Sequence, residues 1–292
     1  MIGRSGQVAR SLVERCEARG GHELIVASRP DTDLANAGEI AAAIHRAEPH
    51  AVVNAAAFTA VDGAEDDPAL AFRINAEAAR EAAQAARDVG ARFLHLSTDY
   101  VFGGTATDPY RENAPTDPIG VYGKSKLAGE EGVRDANPDH LIVRTAWVYS
   151  PFGNNFVRTM MRAARHRDVL RVVDDQYGSP TSALDLADGL LAVIDRWCDE
   201  PSASLGQTYH LAGTGQTSWC GFATDIMTQC AALDLPSARI EPIVTADWPT
   251  RAVRPAYSVL DSSRFVADFG YLMPSWQSSV TAVIHRLGAD DH

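Results

Sequence analysis

Tyr122 and Lys126 stand four residues apart in the stretch Val121-Tyr122-Gly123-Lys124-Ser125-Lys126-Leu127-Ala128-Gly129-Glu130. The pattern reads as the start of a helix, and a helix advances about 3.6 residues per turn, so the phenol and the amine share one face. A phenol with an ordinary pKa near ~10 stays protonated at neutral pH. It can give that proton to a carbonyl oxygen on which negative charge develops, most readily where an ammonium stabilises the phenolate left behind. The same two residues also describe a plain amphipathic surface helix with a packed Tyr and a solvated Lys. Which description holds depends on the elements around them.

Composition narrows the classes. The chain has 292 residues, 46% hydrophobic and 22% charged, with a formal net charge of −12. That is an ordinary globular balance. An acidic surface gains nothing electrostatically from a nucleic acid or an anionic membrane, so neither is expected as a partner. A small anionic substrate is compatible, because a local group of arginines outweighs the global field. No apolar run approaches the ~20 residues of a membrane span and no signal peptide is read at the start, so a cytoplasmic location is the default expectation. Cys16, Cys198, Cys220 and Cys230 show no CxxC spacing and read as reduced thiols. The nine histidines contain no HxxxH or HExxH, and acidic pairs such as Asp66-Asp67 and Asp174-Asp175 lack accompanying ligands. No metal site is expected.

Along the chain, Met1-Ile2-Gly3-Arg4-Ser5-Gly6-Gln7-Val8-Ala9 spaces glycines three apart and runs into a helical stripe of Leu12, Val13 and Cys16. This resembles the glycine turn of a dinucleotide fold, where the backbone approaches a pyrophosphate and a helix N-terminus supplies free N–H groups. The strand that should precede Gly3 is reduced to Met1 and Ile2, so a truncated first strand is predicted, from a start placed late or from loss of that strand. His22 to Arg29 suits a second parallel strand. It ends in Ser28 and Arg29 rather than in a carboxylate, which favours NADPH over NADH, because an arginine attracts a 2′-phosphate that a carboxylate would repel. Glu39 to Arg46 reads as a short helix. The strand from Ala51 then opens into small residues, as needed beneath a flat cofactor. Pro68 to Asp88 reads as one Ala-rich helix, with Leu70, Ile74, Ala78 and Ala82 on a stripe and Gly90 as its stop. The strand Arg92 to Leu96 runs into Ser97-Thr98-Asp99, placing hydroxyls at the carboxyl edge of a sheet, where ligands of open α/β sheets bind. After a turn-rich loop from Gly103 to Ile119 comes the Tyr122 helix, stopped at Asn137-Pro138, and then the apolar strand Leu141 to Tyr149.

This alternation predicts an α/β fold, a Rossmann-like doubly wound parallel sheet with a smaller C-terminal substrate lobe. Residues 1–150 form the NAD(P)-binding part. Residues 151–292 are mainly the lobe, with some elements returning to the sheet. Asn154 to Arg167 and Ala183 to Trp197 read as helices, Asp174 to Thr181 as a loop, and the region from Tyr209 onward as short elements broken by Pro236, Pro242, Pro249 and Pro255.

The order of these stretches, a glycine turn, then Ser97-Thr98, then Tyr122 and Lys126, resembles the extended short-chain dehydrogenase/reductase superfamily. More narrowly, the chain resembles the dTDP-4-dehydrorhamnose reductases. The matching strings are Gly6-Gln7-Val8, Val53 to Asp62, Ser97 to Phe102, Val121 to Glu130, Arg144 to Tyr149, Gly153-Asn154-Asn155-Phe156 and Asp175 to Thr181. The resemblance implies an oxidoreductase that uses NADPH, with NADH as an alternative, to reduce the C4 ketone of dTDP-4-dehydro-L-rhamnose to dTDP-L-rhamnose for cell-surface polysaccharide. It implies Tyr122, Lys126 and Thr98 as the catalytic residues. Gly3, Gly6, Gln7, Val8, Ser28, Arg29, Asp33, Leu34, Ala57, Phe58, Thr59 and Leu96, together with Tyr122 and Lys126, would hold the cofactor. Thr98, Asp99 and Trp147 would contact the dTDP-sugar. Arg254 to Leu260 resembles the family's C-terminal RPxxS segment, with Tyr257 where Asn is common. A homodimer is left open. Two other readings share the fold: a nucleotide-sugar epimerase or dehydratase, against which stands the lack of a Glu after Asp99, and a non-catalytic NADP-binding regulatory relative, against which stand the intact Tyr122, Lys126 and Thr98.

Overall fold

The computed structural model describes residues 1–289. Four parallel strands form the continuous centre of the sheet in the order Ala51–Asn54, Arg92–Thr98, His140–Thr145 and Gln207–His210. Their register aligns Val53 with Leu94, Leu94 with Leu141, and Leu141 with Gln207, so apolar side chains stack in rows across the sheet. Helices cover both faces, as an all-parallel sheet requires. On one face Leu12 of the Gln7–Arg19 helix packs with Leu186, Leu190 and Val193 of the Ala183–Asp199 helix over Leu94, Leu141 and Val143. On the other face Ile40 and Ile44 join the alanines of the Ala78–Asp88 helix, Val133 and Phe93.

The expected first strand exists only as a pairing of very few residues. Ile2 makes parallel bridges to Ala27 on one side and to Asn54 on the other. The Ile2 N–H donates to Val53 O at 2.8 Å, and the Gly3 N–H donates to Ala27 O at 2.9 Å. The strand expected over His22 to Arg29 is correspondingly reduced to its bridge at Ala27. A strand persists only opposite a partner, and upstream of Ala27 that partner is Met1 alone, whose amino terminus donates to Ile25 O at 2.7 Å. Ile25 and Val26 are accordingly 48% and 38% exposed.

The single helix expected from Pro68 to Asp88 is interrupted. Asp67 caps its start, accepting from the Leu70 N–H at 3.0 Å with Pro68 in the first turn. Residues Arg73–Glu77 then form a π turn before the helix resumes at Ala78. The extra residue turns Asn75 inward and sets its carbonyl against the Val121–Ala136 helix, a kind of bulge often found beside functional groups. Gly129 makes that approach feasible, since a Cβ there would lie 2.1 Å from Asn75 O.

The second part is more helical than its prolines suggested. Between the short elements run two helices of fourteen residues each, Trp219–Ala232 and Trp276–Ala289. Ser218 caps the first, accepting from the Gly221 N–H at 2.9 Å. With Phe156–Ala164 and the parallel pair Val169–Val173 and Arg239–Ile243, they enclose a second core around Tyr149, Phe222, Ile226, Val280 and Ile284. The prolines lie in the links between these elements and at the edge of a two-stranded pair, where a missing N–H is tolerated. The strand Gln207–His210 and the helix Ala183–Asp199 belong to the main sheet and its covering layer.

Gly129→Ala should lower stability by roughly 2 kcal/mol or more, because backbone must separate to admit the methyl. A drop in the thermal midpoint of the purified variant is the expected readout, with an unchanged midpoint showing that the helix is not held this closely.

Candidate active site

The face of the Val121–Ala136 helix that carries Tyr122 and Lys126 is oriented by Glu130, one turn further on. Glu130 is fully buried. Its carboxylate accepts from Ser97 Oγ at 2.6 Å, from Arg144 Nε and Nη2 at 2.8 and 2.7 Å, and from Arg134 Nη2 at 2.8 Å. Burial alone would raise its pKa, but the hydrogen bonds and charge of Arg144, with Ser97 and Arg134, hold it below the ordinary carboxylate range. Ser97 and Arg144 lie on adjacent strands in direct register, so this cluster ties the helix to both.

At the carboxyl end of the Arg92–Thr98 strand, Thr98 Oγ1 donates to Asp99 Oδ1 at 2.9 Å and accepts from the Tyr100 N–H at 3.2 Å. Asp99 is buried, and its Oδ2 has no hydrogen-bond partner of good geometry, although the Ser258 hydroxyl lies close enough to favour the charged form. Desolvation outweighs these aids and pushes Asp99 up to about 6. Tyr122 is half-buried and packs edge-on against Tyr100, with ring centroids 5.5 Å apart. Its pKa is pushed up to about 12, chiefly by desolvation, with a hydrogen bond to Thr98 pulling it down and the charge of Asp99 adding to the rise. The phenol is therefore a proton donor at neutral pH. Lys126 is buried. Its Nζ donates to Leu96 O at 2.7 Å and lies 3.3 Å from His95 Nε2. Desolvation brings it down to about 8, against the pull of Glu130.

The residues expected around a dinucleotide begin at the turn before the Gln7–Arg19 helix. Gly3 has φ +105°, and a Cβ there would press on the Ala56 Cβ at 3.3 Å. Glycine is required at this turn. Gly6 precedes the Gln7–Arg19 helix with open space at its Cα and no side-chain cap, leaving first-turn N–H groups for a ligand. Gln7 does more than flank that turn: its Nε2 donates to Val148 O at 3.2 Å and its Oε1 accepts from Ser150 Oγ at 2.9 Å. A groove of about 1090 Å³ opens beside the turn and is lined in part by Arg4, Ser28, Asp31 and Thr32. Arg29 and Arg4 are both exposed, and Arg4, a cation not singled out from the sequence, lines the groove beside Ser28, which Arg29 follows in the chain. Leu34 packs on the Ile2 and Ile40 core, and Asp33 accepts from the Ala35 N–H at 3.0 Å. Ala57, Phe58 and Thr59 follow the Ala51–Asn54 strand, with Phe58 clamped at both backbone groups by Asn75.

Trp147 adopts φ +46° and lies flat on Trp219, with ring centroids 3.5 Å apart and 5° between the planes. A left-handed backbone at a bulky residue is strained, and such strain gathers where side-chain direction matters. Gly178 permits the stack, since a Cβ there would fall 2.3 Å from the indole.

This geometry has close relatives. The RmlD substrate binding domain family matches residues 1–289. A dTDP-4-dehydrorhamnose reductase of Sinorhizobium fredii is 41% identical over 98% of this chain and 96% of its own length. The chain belongs to the dTDP-4-dehydrorhamnose reductase family. The crystal structure of such a reductase from Clostridium acetobutylicum superposes with a TM-score of 0.91 at 36% identity, covering 98% of each chain. The Bacillus anthracis reductase, solved in complex with NADP, gives 0.88 at 34% identity over 98% of this chain and 97% of its own.

Several residues of this reductase-family site were not singled out from the sequence. Asn75 donates from Nδ2 to Ser125 Oγ at 2.9 Å and to Phe58 O at 3.1 Å, linking the loop after the Ala51–Asn54 strand to the Tyr122 helix. Its only sequence signal is an amide inside an alanine-rich stretch. His95 and Glu130 carried a clearer one, a polar residue at a position whose neighbours along the element are buried. Trp219 carried none, because its stacking partner is distant in sequence. Among the described residues no group of three or more His, Cys, Asp or Glu could hold a metal, and no helix is long and apolar enough to cross a membrane.

Asp99 yields a pH-dependent expectation. Its carboxyl keeps a proton up to about pH 6 in the folded state, against about 3.8 ordinarily. Folding therefore binds a proton across that window, and stability is lost as pH rises through it. Asp99→Asn should raise stability at pH 7.5 by on the order of 1–3 kcal/mol and flatten its dependence between pH 4 and 6. Denaturant melts at several pH values decide it, and a less stable variant at pH 7.5 would refute the account.

Proposed function

We propose that the protein reduces the C4 ketone of dTDP-4-dehydro-L-rhamnose to dTDP-L-rhamnose, with NADPH as reductant. The observation that carries this reading is a protonated Tyr122 beside Thr98 at the carboxyl edge of the sheet, in a chain 41% identical along nearly its whole length to a reductase named for that substrate. The division of labour follows the two cores: residues 1–150, with the strand and helix that return to the sheet, form the cofactor half, and most of residues 151–292 form the sugar half.

The residues around the glycine turn fit a dinucleotide. The turn at Gly3 takes a positive φ that strains any residue with a side chain, the Gln7–Arg19 helix lacks a side-chain cap, and the groove beside them is open. Gly3, Gly6, Gln7 and Val8 would hold its pyrophosphate at the helix N-terminus, and Arg4 with Ser28 and Arg29 its ribose phosphate. Asp33 and Leu34 would flank the adenine. Ala57, Phe58, Thr59 and Leu96 would line the path to the nicotinamide. NADPH, when bound, supplies the hydride.

The chain's own groups act on the oxygen. As the ketone becomes an alkoxide, the Tyr122 O–H gives its proton to that oxygen, and Thr98 offers a second hydrogen bond and steadies the phenol. Lys126 would bind the nicotinamide ribose and, as ammonium, favour the phenolate that Tyr122 becomes. Because charge on the oxygen peaks in the transition state, these pre-placed donors lower the barrier more than they tighten ground-state binding. Asp99 and Trp147 would hold the sugar, the carboxyl through a hydrogen bond and the indole through the face turned away from Trp219.

Purified protein should oxidise NADPH on addition of dTDP-4-dehydro-L-rhamnose. Tyr122→Phe should lower kcat by about 10²–10³-fold, the usual effect of losing one such donor, while NADPH affinity measured by fluorescence stays within a few-fold. A wild-type protein that binds NADPH but leaves that sugar unreduced would sink the proposal.

A further inference from the structure

His95 sits in the Arg92–Thr98 strand, 1% exposed, one residue before the carbonyl that accepts from Lys126. Each ring nitrogen has one polar neighbour: Nδ1 lies 3.2 Å from Asn54 Nδ2, and Nε2 lies 3.3 Å from Lys126 Nζ. The Asn54 amide is oriented by its own loop, because the Ala56 N–H donates to Asn54 Oδ1 at 3.3 Å. That leaves the NH₂ group, which can only donate, facing the imidazole. Nδ1 must then accept, and a neutral ring carries its one proton on Nε2. That N–H points at the lysine nitrogen. An ammonium offers only donors in return, whereas an uncharged amine offers a lone pair.

We infer that His95, locked by Asn54 with its proton on Nε2, is a positioning residue that favours the amine over the ammonium at Lys126 and so sets the upper pH limit of the reaction. The inference rests on the proposed reductase chemistry only for that second clause. The surroundings agree. His95 itself is held neutral, its pKa lowered by burial and by Lys126, His140 and Arg134. From its own helix Lys126 feels the charge of Glu130 one turn later. Glu130 favours the ammonium, but its carboxylate is already engaged by Arg134 and by Arg144 from the neighbouring strand. Burial dominates and leaves the lysine at about 8. A polar neighbour with an acceptor in place of an N–H would have pushed the other way.

The test uses the full chain without cofactor. In ¹⁵N-histidine-labelled protein, two-bond ¹H–¹⁵N correlations should show His95 protonated on Nε2 and bare on Nδ1. The opposite tautomer overturns the inference whether or not any variant folds. In ¹³C-lysine-labelled protein, His95→Gln, whose side-chain oxygen can turn to the ammonium, should raise the titration midpoint of Lys126 by roughly one pH unit. The alkaline limb of kcat should move by the same amount, with KM for the sugar little changed. A midpoint that stays or falls refutes the role of His95. If the sugar is not reduced at all, the proposed function fails while the two NMR results still decide what His95 does.

Discussion

One buried carboxylate organises the catalytic half of this molecule. Removing Glu130 and Arg144 from water costs several kcal/mol per ion, and only good geometry with further hydrogen bonds offsets it. Here the geometry is good: Arg144 grips both oxygens, and Ser97 and Arg134 occupy the remaining lone pairs. Such an arrangement adds little net stability compared with packed apolar groups of the same size. Its effect is directional. An apolar helix face tolerates sliding and rotation, whereas a carboxylate that must meet a guanidinium from one strand and a hydroxyl from the next has a single acceptable setting. Tyr122 and Lys126 inherit that setting through the helix.

The crevice itself is a place of unequal solvation. Asp99, Tyr122 and Lys126 are all displaced toward their neutral forms by burial, the carboxyl and the phenol upward and the amine downward. In this condition the carboxyl and the phenol hold their protons more tightly and the amine gives its up more readily than in water.

Much of this was legible in the sequence, for identifiable reasons. Elements whose side chains repeat with a clear period, such as Gln7–Arg19, Arg92–Thr98 and Val121–Ala136, show their buried face in the pattern itself, whereas the roles given to Tyr122, Lys126 and Thr98 came from the resemblance of whole strings and not from that period. The π turn at Arg73–Glu77 was not legible, because alanines are consistent with any helical pitch and the close approach it makes is to Gly129 on another helix. Trp147's partner was hidden for the same reason, since a stack between distant residues leaves no spacing to read. The segment His22 to Arg29 had a strand's composition, but a strand depends on its partner, and there the partner is only Met1 to Gly3. The two long helices of the lobe were obscured by prolines that turned out to punctuate the links between them.

Gly123 has a consequence for how this scaffold can diversify. A Cβ at that position would lie 2.2 Å from the Tyr100 carbonyl, so the Tyr122 helix and the Thr98 to Tyr100 turn touch backbone to backbone. Neither can shift without dragging the other, and with it the Tyr122 phenol. The reacting corner is thus a fixed jaw. Around Trp147 the spacing is set differently, by the stack of its side chain on Trp219.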